Sequence, residues 1–171
     1  VAALKAGRVP DLDQPVHEGP EIDLQLPALF PSDYIPDVHT RLVLYKRVAG
    51  CEDAQALREL QVELIDRFGL LPEPAKHLFG IAALKLDAAP RGIRKIEIGA
   101  SEGRILFGDA PDIDTGRLIN LVQTRPGQYR FEGGDKLRLY GEFTTEAARF
   151  GIVRKLLALL AGQDVDLNSD K

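Results

Sequence analysis

Three carboxylates lie at helical spacing within one segment of the sequence, where they could bind cationic groups. At about 100° per residue, Glu59, Glu63 and Asp66 fall within about 60° of one another, and Val62 lies beside them. The opposite side of the same helix carries four large apolar side chains, at Leu57, Leu60, Leu64 and Phe68. Because the apolar stripe should face the core, we expect the acidic face to be exposed.

This acidic face allows two interpretations. From Glu52 to Asp66 there are five acids and one arginine, so acids gathered near the helix start can form an ordinary solvated face. Glu63 and Asp66, however, lie in the second half, where the helix dipole disfavours negative charge, and like charges at this spacing repel. Basic side chains of a partner would relieve that repulsion. The sequence therefore indicates Glu59, Val62, Glu63 and Asp66 as a partner-binding surface.

Catalytic, cofactor-binding and metal-binding signatures are missing from the sequence. It has no Gly-Lys-Ser/Thr phosphate loop and no glycine-rich dinucleotide fingerprint. Its single Cys51 and its three histidines, His17, His39 and His77, lack zinc-type spacing. An exposed helix face offers no water-excluding cleft for acid–base catalysis. We predict no catalytic residue, no cofactor and no metal, and a chain that is not itself an enzyme; a hydrolase using a carboxylate pair is the least favoured alternative.

A basic segment gives the main alternative to the acidic face. Arg91, Arg94 and Lys95 surround a predicted strand and could dock nucleic acid or RNA polymerase, although no stacking aromatic side chains interleave with them. They could equally be a solvated strand edge that discourages aggregation. The net charge of -4 over 171 residues weakly disfavours a nucleic-acid-binding module, which is usually basic.

Caps, prolines and hydrophobic periodicity predict the elements that position these residues. An α+β fold is expected, with an N-terminal strand and a three-helix segment followed by a mainly antiparallel sheet with two further helices. The strand covers residues 21–26, and the three helices cover residues 37–50, 53–68 and about 72–90, with Gly69 as the C-cap of the second. The sheet portion has strands at 92–98, 104–107, 128–131 and 136–140, with helices at 114–122 and 144–161. The first helix is expected to direct Val38, Leu42, Tyr45 and Val48 inward.

The chain is divided into three parts by composition. Residues 1–20 are interpreted as the end of an upstream helix and a linker, residues 21–163 as the domain, and residues 164–171 as a flexible tail. The apolar runs are too short or too charged to span a bilayer, so no membrane contact is expected. One cysteine cannot form an internal disulfide, which fits a reducing, cytoplasmic compartment.

Two long motifs are specific in combination. They are Phe30-Pro-Ser-Asp-Tyr-Ile-Pro-Asp-Val-His-Thr-Arg-Leu-Val-Leu-Tyr-Lys-Arg47 and Val62-Glu-Leu-Ile-Asp-Arg-Phe-Gly-Leu-Leu-Pro-Glu-Pro-Ala75, followed by Gly92-Ile-Arg-Lys-Ile96. With these motifs the chain resembles the carboxy-terminal end of bacterial transcription-repair coupling factors. The resemblance covers almost the whole chain and is weakest from Glu97 to Ala147.

The resemblance implies a role inside a larger protein. The full-length family member is an ATP-driven, helicase-related DNA translocase of the bacterial cytoplasm that displaces stalled RNA polymerase and recruits nucleotide excision repair. RNA polymerase and DNA would be bound through its other domains. The terminal domain would be non-catalytic and autoinhibitory, packing on an N-terminal UvrB-like module and masking the surface that binds UvrA. Acids that contact arginines of that module correspond here to Glu63 and Asp66.

Overall fold

The computed structural model describes residues 19–167. Within them lie strand β1 (Glu21–Asp23), helices α1 (Val38–Ala49), α2 (Ala54–Phe68) and α3 (Glu73–Ala88), and a short 3-10 turn (Ala89–Arg91). They are followed by β2 (Ile93–Ile98), β3 (Glu102–Phe107), α4 (Thr115–Thr124), β4 (Tyr129–Glu132), β5 (Lys136–Tyr140) and α5 (Glu146–Leu160). The α+β class and the element order are confirmed. Almost all of the segment predicted as helix end and linker, and the last four tail residues, lie outside the described residues.

The described residues form two compact units. One, the helical unit, is Pro27–Leu86. The other, the sheet unit, joins Pro20–Leu26 to the residues from Asp87 onward. No helix within residues 19–167 is long and apolar enough to cross a membrane.

Side-chain caps fix where the first two helices of the helical unit begin. The Asp37 carboxylate accepts a hydrogen bond of 2.9 Å from the Thr40 amide, and Asp53 accepts one of 2.8 Å from Ala56. Both residues satisfy amides that have no partner within the helix, and both lie where the sequence predicted a helix to start. Helix α2 ends at Gly69, whose φ of 97° is in the region that favours glycine.

The core of the helical unit contains side chains from all three helices and from the proline-rich segment that precedes them, residues 27–36. Phe30 and Ile35 are buried members of this core, and Tyr34 packs against it. The other buried members are Leu44, Val48, Leu57, Leu60, Leu64, Ala75 and Phe79. The apolar stripe of α2 thus lies in this core, which leaves the other side of α2 to solvent.

The predicted inner face of α1 is partly wrong. Val48 is buried and Tyr45 packs against the core, but Val38 is 58% exposed and Leu42 is 37% exposed, while Leu44 is 1% exposed. The physical reason is that apolar residues occur on several sides of α1, so packing decides which side turns inward, and Leu44 and Val48 are the ones in the core. On the same side of α1, the Arg41 guanidinium donates a 2.7 Å hydrogen bond to the Ile35 carbonyl.

The sheet unit is built on five strands in the order β1-β2-β3-β5-β4. Strand β1 runs parallel to β2, and the other pairs are antiparallel, which confirms a mainly antiparallel sheet. One side of the strands is buried: Ile93, Ile96, Ile98, Ile105, Phe107, Tyr129, Leu137 and Leu139. Asp114 caps α4, and its amide donates a 2.7 Å hydrogen bond to the Leu160 carbonyl at the end of α5.

Candidate functional site

The apolar and the acidic side chains of α2 lie on opposite sides of the helix, as their spacing in the sequence predicts. Leu57, Leu60 and Leu64 are 4% exposed or less. Glu59 and Asp66 lie on the exposed side, where Val62 keeps 59% of its surface accessible. A protruding valine between two acids is suited to docking, because it supplies apolar area inside a charged rim. We refer to Glu59, Val62, Glu63 and Asp66 as the acidic face.

Glu63 differs from the other members of the acidic face because its carboxylate is already bound. Arg47 at the end of α1 donates from Nη1 to Oε2 and from Nη2 to Oε1, both at 2.7 Å. Arg67, one turn further along α2, donates to the same Oε2 at 3.3 Å. The Arg47 fork holds the pKa of Glu63 at about 2, below its ordinary value of 4.5.

The position of Glu63 around the axis of α2 explains its pairing with Arg47. Glu63 lies on the flank of α2 that turns toward the buried stripe, about 60° from Leu60. The last turn of α1 brings Arg47 to that flank, and the Glu63 side chain is therefore only 37% exposed. The pairing of Arg47 with Glu63 was not predictable from helical spacing, because 16 residues separate the two in the chain. The Glu63–Arg67 pair could have been predicted, because the two residues are four positions apart in one helix.

Glu59 and Asp66 carry the negative charge that stays accessible on the acidic face. The Glu59 carboxylate accepts a 2.9 Å hydrogen bond from the neutral amide of Gln55. Within residues 19–167, Asp66 has neither a hydrogen bond nor an ion pair to its side chain. A cation approaching the acidic face therefore meets uncompensated charge at Asp66 and Glu59 and compensated charge at Glu63.

An open groove of about 450 Å³ adjoins the acidic face between the ends of α1 and α2. It is lined by Arg47, Gly50, Cys51, Ala56, Glu59, Leu60 and Glu63. Burial raises the pKa of the Cys51 thiol, which donates to the Arg47 carbonyl. A protonated thiol is a poor nucleophile, so the raised pKa disfavours Cys51 as a catalytic nucleophile.

The carboxylates of the acidic face do not form a metal centre. Among the described residues, Glu59, Glu63 and Asp66 do not converge within 4.8 Å as a set of three ligands. They are spread along a helix surface instead. Such spacing suits guanidinium or ammonium groups that arrive from a second protein surface.

The basic residues of the alternative site are all paired with acids of the sheet unit. Arg91 donates to the Asp112 backbone at 2.9 Å and lies 3.8 Å from its carboxylate. Arg94 lies 3.7 Å from Asp135, and Lys95 lies 3.1 Å from Glu97. This compensation reduces the positive field that a nucleic acid or another acidic partner would recognise. The basic strand is thus compensated by acids, whereas Glu59 and Asp66 of the acidic face have no ion pair among the described residues.

A protein-family comparison matches a large part of the chain. Residues 24–118 match the model of the TRCF domain. The transcription-repair-coupling factor of Escherichia coli (strain K12) is 42% identical over 157 residues, which are 92% of this chain and 14% of that protein. The factor of Haemophilus influenzae is 40% identical over 161 residues, or 94% of this chain and 14% of that protein. The chain thus spans about a seventh of the length of these relatives.

A solved structure supports the same fold. The crystal structure of the C-terminal domain of a transcription-repair coupling factor superposes with a TM-score of 0.68, covering 83% of this chain and 89% of that one. The sequence identity is 21%, so the match speaks for the fold alone.

Proposed function

Because this chain belongs to the TRCF domain family, as a C-terminal domain of a transcription-repair-coupling factor, we propose that it is the autoinhibitory domain of such a factor. In this proposal the domain performs no catalysis. It packs on an N-terminal UvrB-like module of the same protein and thereby masks the surface that binds UvrA. Release of the domain would then couple a stalled transcription complex to nucleotide excision repair.

The observation that carries this proposal is the exposed acidic face on a helix whose opposite side is buried in the core. Val62 protrudes at its centre, and Asp66 and Glu59 flank it with accessible charge. Arginines of the module could donate paired hydrogen bonds to these carboxylates. Each partly exposed ion pair contributes on the order of 1 kcal/mol or less. Such weak ion pairs are suited to an inhibitory interface that has to open.

Weak contacts are sufficient to keep the domain on the module if both are tethered in one chain. If the domain and the module belong to one polypeptide, the effective local concentration is set by the connecting chain and not by the cell. The contact can therefore stay closed at rest although its affinity as separate parts is modest. We place the ATP-driven DNA translocase activity, and the contacts with RNA polymerase and DNA, in other parts of the full-length protein.

A binding experiment with separated parts tests this proposal. The 171-residue chain is immobilised, and capture of the N-terminal module is compared between the wild type and the double variant Glu63→Lys/Asp66→Lys. A matched double variant, Asp109→Lys/Glu142→Lys, makes the same change of charge at exposed positions of the sheet unit. We expect capture to fall only in the first variant. Unchanged capture by that variant would place the contact elsewhere.

The masking of UvrA is tested separately in the full-length protein. Charge reversal at Glu63 and Asp66 should open the contact and increase UvrA binding, measured by surface plasmon resonance in the absence of DNA. The reversal at Asp109 and Glu142 should leave UvrA binding as it is in the wild type. If both full-length variants bind UvrA like the wild type, the domain does not mask that surface.

A further inference from the structure

The Arg47–Glu63 pair is an internal contact in the middle of a surface that is proposed to bind external arginines. We propose that Arg47 competes with the partner for Glu63, so that docking through Glu63 requires Arg47 to be displaced toward Glu59. This inference rests on the proposed function, since it concerns the same acidic face. It assigns a competing role to Arg47 and an accepting role to Glu59.

Arg47 and a partner arginine would need the same side of the Glu63 carboxylate. A carboxylate offers about four lone-pair positions, and an arginine fork that binds both oxygens uses the two that face the same side. Arg47 donates to Oε1 and Oε2 of Glu63 at 2.7 Å each, so it occupies that side, and Arg67 takes a further position on Oε2. A partner arginine cannot add a second fork of this kind while Arg47 stays in place.

Charge gives the second step. Glu63 contacts two guanidinium groups, so its immediate surroundings are net positive and repel an incoming arginine. Asp66 is one turn away and, among the described residues, is without an ion pair. We therefore place the first contact of the partner at Asp66 and Val62. Glu63 joins afterwards, when Arg47 has moved.

The groove beside the acidic face supplies a place for Arg47. Arg47, Glu59 and Glu63 line the same cavity, and Glu59 and Glu63 are one helical turn apart. The Glu59 carboxylate is bound only to the neutral Gln55 amide within residues 19–167, so it can accept a guanidinium. The Arg47 side chain is 44% exposed, so it can rotate without disturbing the core.

Affinity measurements on single and double variants test the competition. The dissociation constant of the 171-residue chain for the N-terminal module is measured by calorimetry for the wild type, Arg47→Gln, Glu63→Gln and the combined variant. We expect Arg47→Gln to tighten binding about two- to five-fold, the range that one exposed ion pair allows. In the Glu63→Gln background the same change should give no gain. Unchanged or weaker binding by Arg47→Gln overturns the inference.

Arg67→Gln is the matched control. It removes a guanidinium from the same carboxylate, but one that makes a single contact at 3.3 Å and no fork. We therefore expect a smaller gain in affinity than with Arg47→Gln. An equal gain would show that general charge removal tightens binding, and it would overturn the specific role of Arg47.

A second measurement is independent of the module. The side-chain carboxyl carbon of Glu63 is followed by NMR while a diarginine peptide is added to the wild type and to Arg47→Gln. We expect the signal of Arg47→Gln to respond at a lower peptide concentration, and an equal response in both proteins overturns the inference. If the peptide distinguishes the variants but no variant binds the module, the competition stands and the proposed function fails.

Discussion

The phenol of Tyr34 donates a hydrogen bond of 2.7 Å to the carbonyl oxygen of Gly69. This contact ties the proline-rich segment before α1 to the end of α2, 35 residues later in the chain. The ring of Tyr34 also packs on Phe68, with the ring centroids 5.8 Å apart. Because Asp66 lies in the last turn of α2, the Tyr34 contact helps to hold the acidic face in position.

Removing this hydroxyl should destabilise the helical unit. Tyr34→Phe leaves the Gly69 carbonyl without this donor, and we expect the free energy of unfolding to fall by about 0.5–1.5 kcal/mol. The control is Tyr140→Phe, which loses only a 3.2 Å hydrogen bond from the exposed Arg130 and should cost less. Urea unfolding followed by circular dichroism measures both values. A larger loss in Tyr140→Phe would contradict this assignment.

Two neighbouring apolar residues of α2 should separate stability from docking. Leu64 is fully buried, so Leu64→Ala should lower the free energy of unfolding by about 2–5 kcal/mol. Val62 is 59% exposed, so Val62→Ala should change that free energy by less than about 0.5 kcal/mol.

The same Val62→Ala variant should weaken capture of the N-terminal module, because the acidic face loses its central apolar contact. Denaturant unfolding and the capture experiment, performed on one preparation, give both quantities. A Val62→Ala protein that is destabilised like Leu64→Ala would show that Val62 belongs to the core. A protein with normal stability and normal capture would remove Val62 from the docking surface.

The helix starts were predictable from the sequence because capping is local. Asp37, Asp53 and Asp114 each accept a hydrogen bond from an amide three residues later, so each cap lies within four consecutive residues of the sequence. The buried stripe of α2 was predictable for a similar reason. Four apolar side chains at helical spacing fix the inner face of a helix whatever it packs against.

The inner face of α1 and the pairing of Glu63 were not predictable in the same way. On α1, apolar residues occur on several sides, and only their packing against the rest of the helical unit decides that Leu44 and Val48 turn inward. The Arg47–Glu63 fork depends on how the end of α1 meets the flank of α2. Periodicity within one helix contains no information about how two helices meet, so the sequence predicted an exposed acidic face without indicating that Arg47 binds Glu63.

Glycine at position 92 is required by both backbone conformation and space. Its φ is +73°, and a Cβ atom there would lie 2.8 Å from the Cα of Pro111. We expect Gly92→Ala to lower the free energy of unfolding by about 2–4 kcal/mol, combining backbone strain with a displaced neighbour. Gly134→Ala is the control, because its φ is +84° with no atom within 4 Å, and it should cost about 1 kcal/mol. Equal losses in thermal or urea unfolding would contradict the steric part.

Acid should weaken the helical unit through Glu63. Its pKa is about 2 in the folded protein and near 4.5 when the chain is unfolded, so the unfolded state binds the proton more tightly. The stabilisation is therefore complete above about pH 4.5 and is lost as the pH falls from 4.5 toward 2.

We expect NMR titration of the Glu63 carboxyl carbon to give a midpoint near 2, and Arg47→Gln to move that midpoint upward. Arg58→Gln, which removes an exposed guanidinium that hydrogen-bonds Gln55, should leave the midpoint in place. A wild-type midpoint near 4.5 would show that the Arg47 fork does not persist in solution.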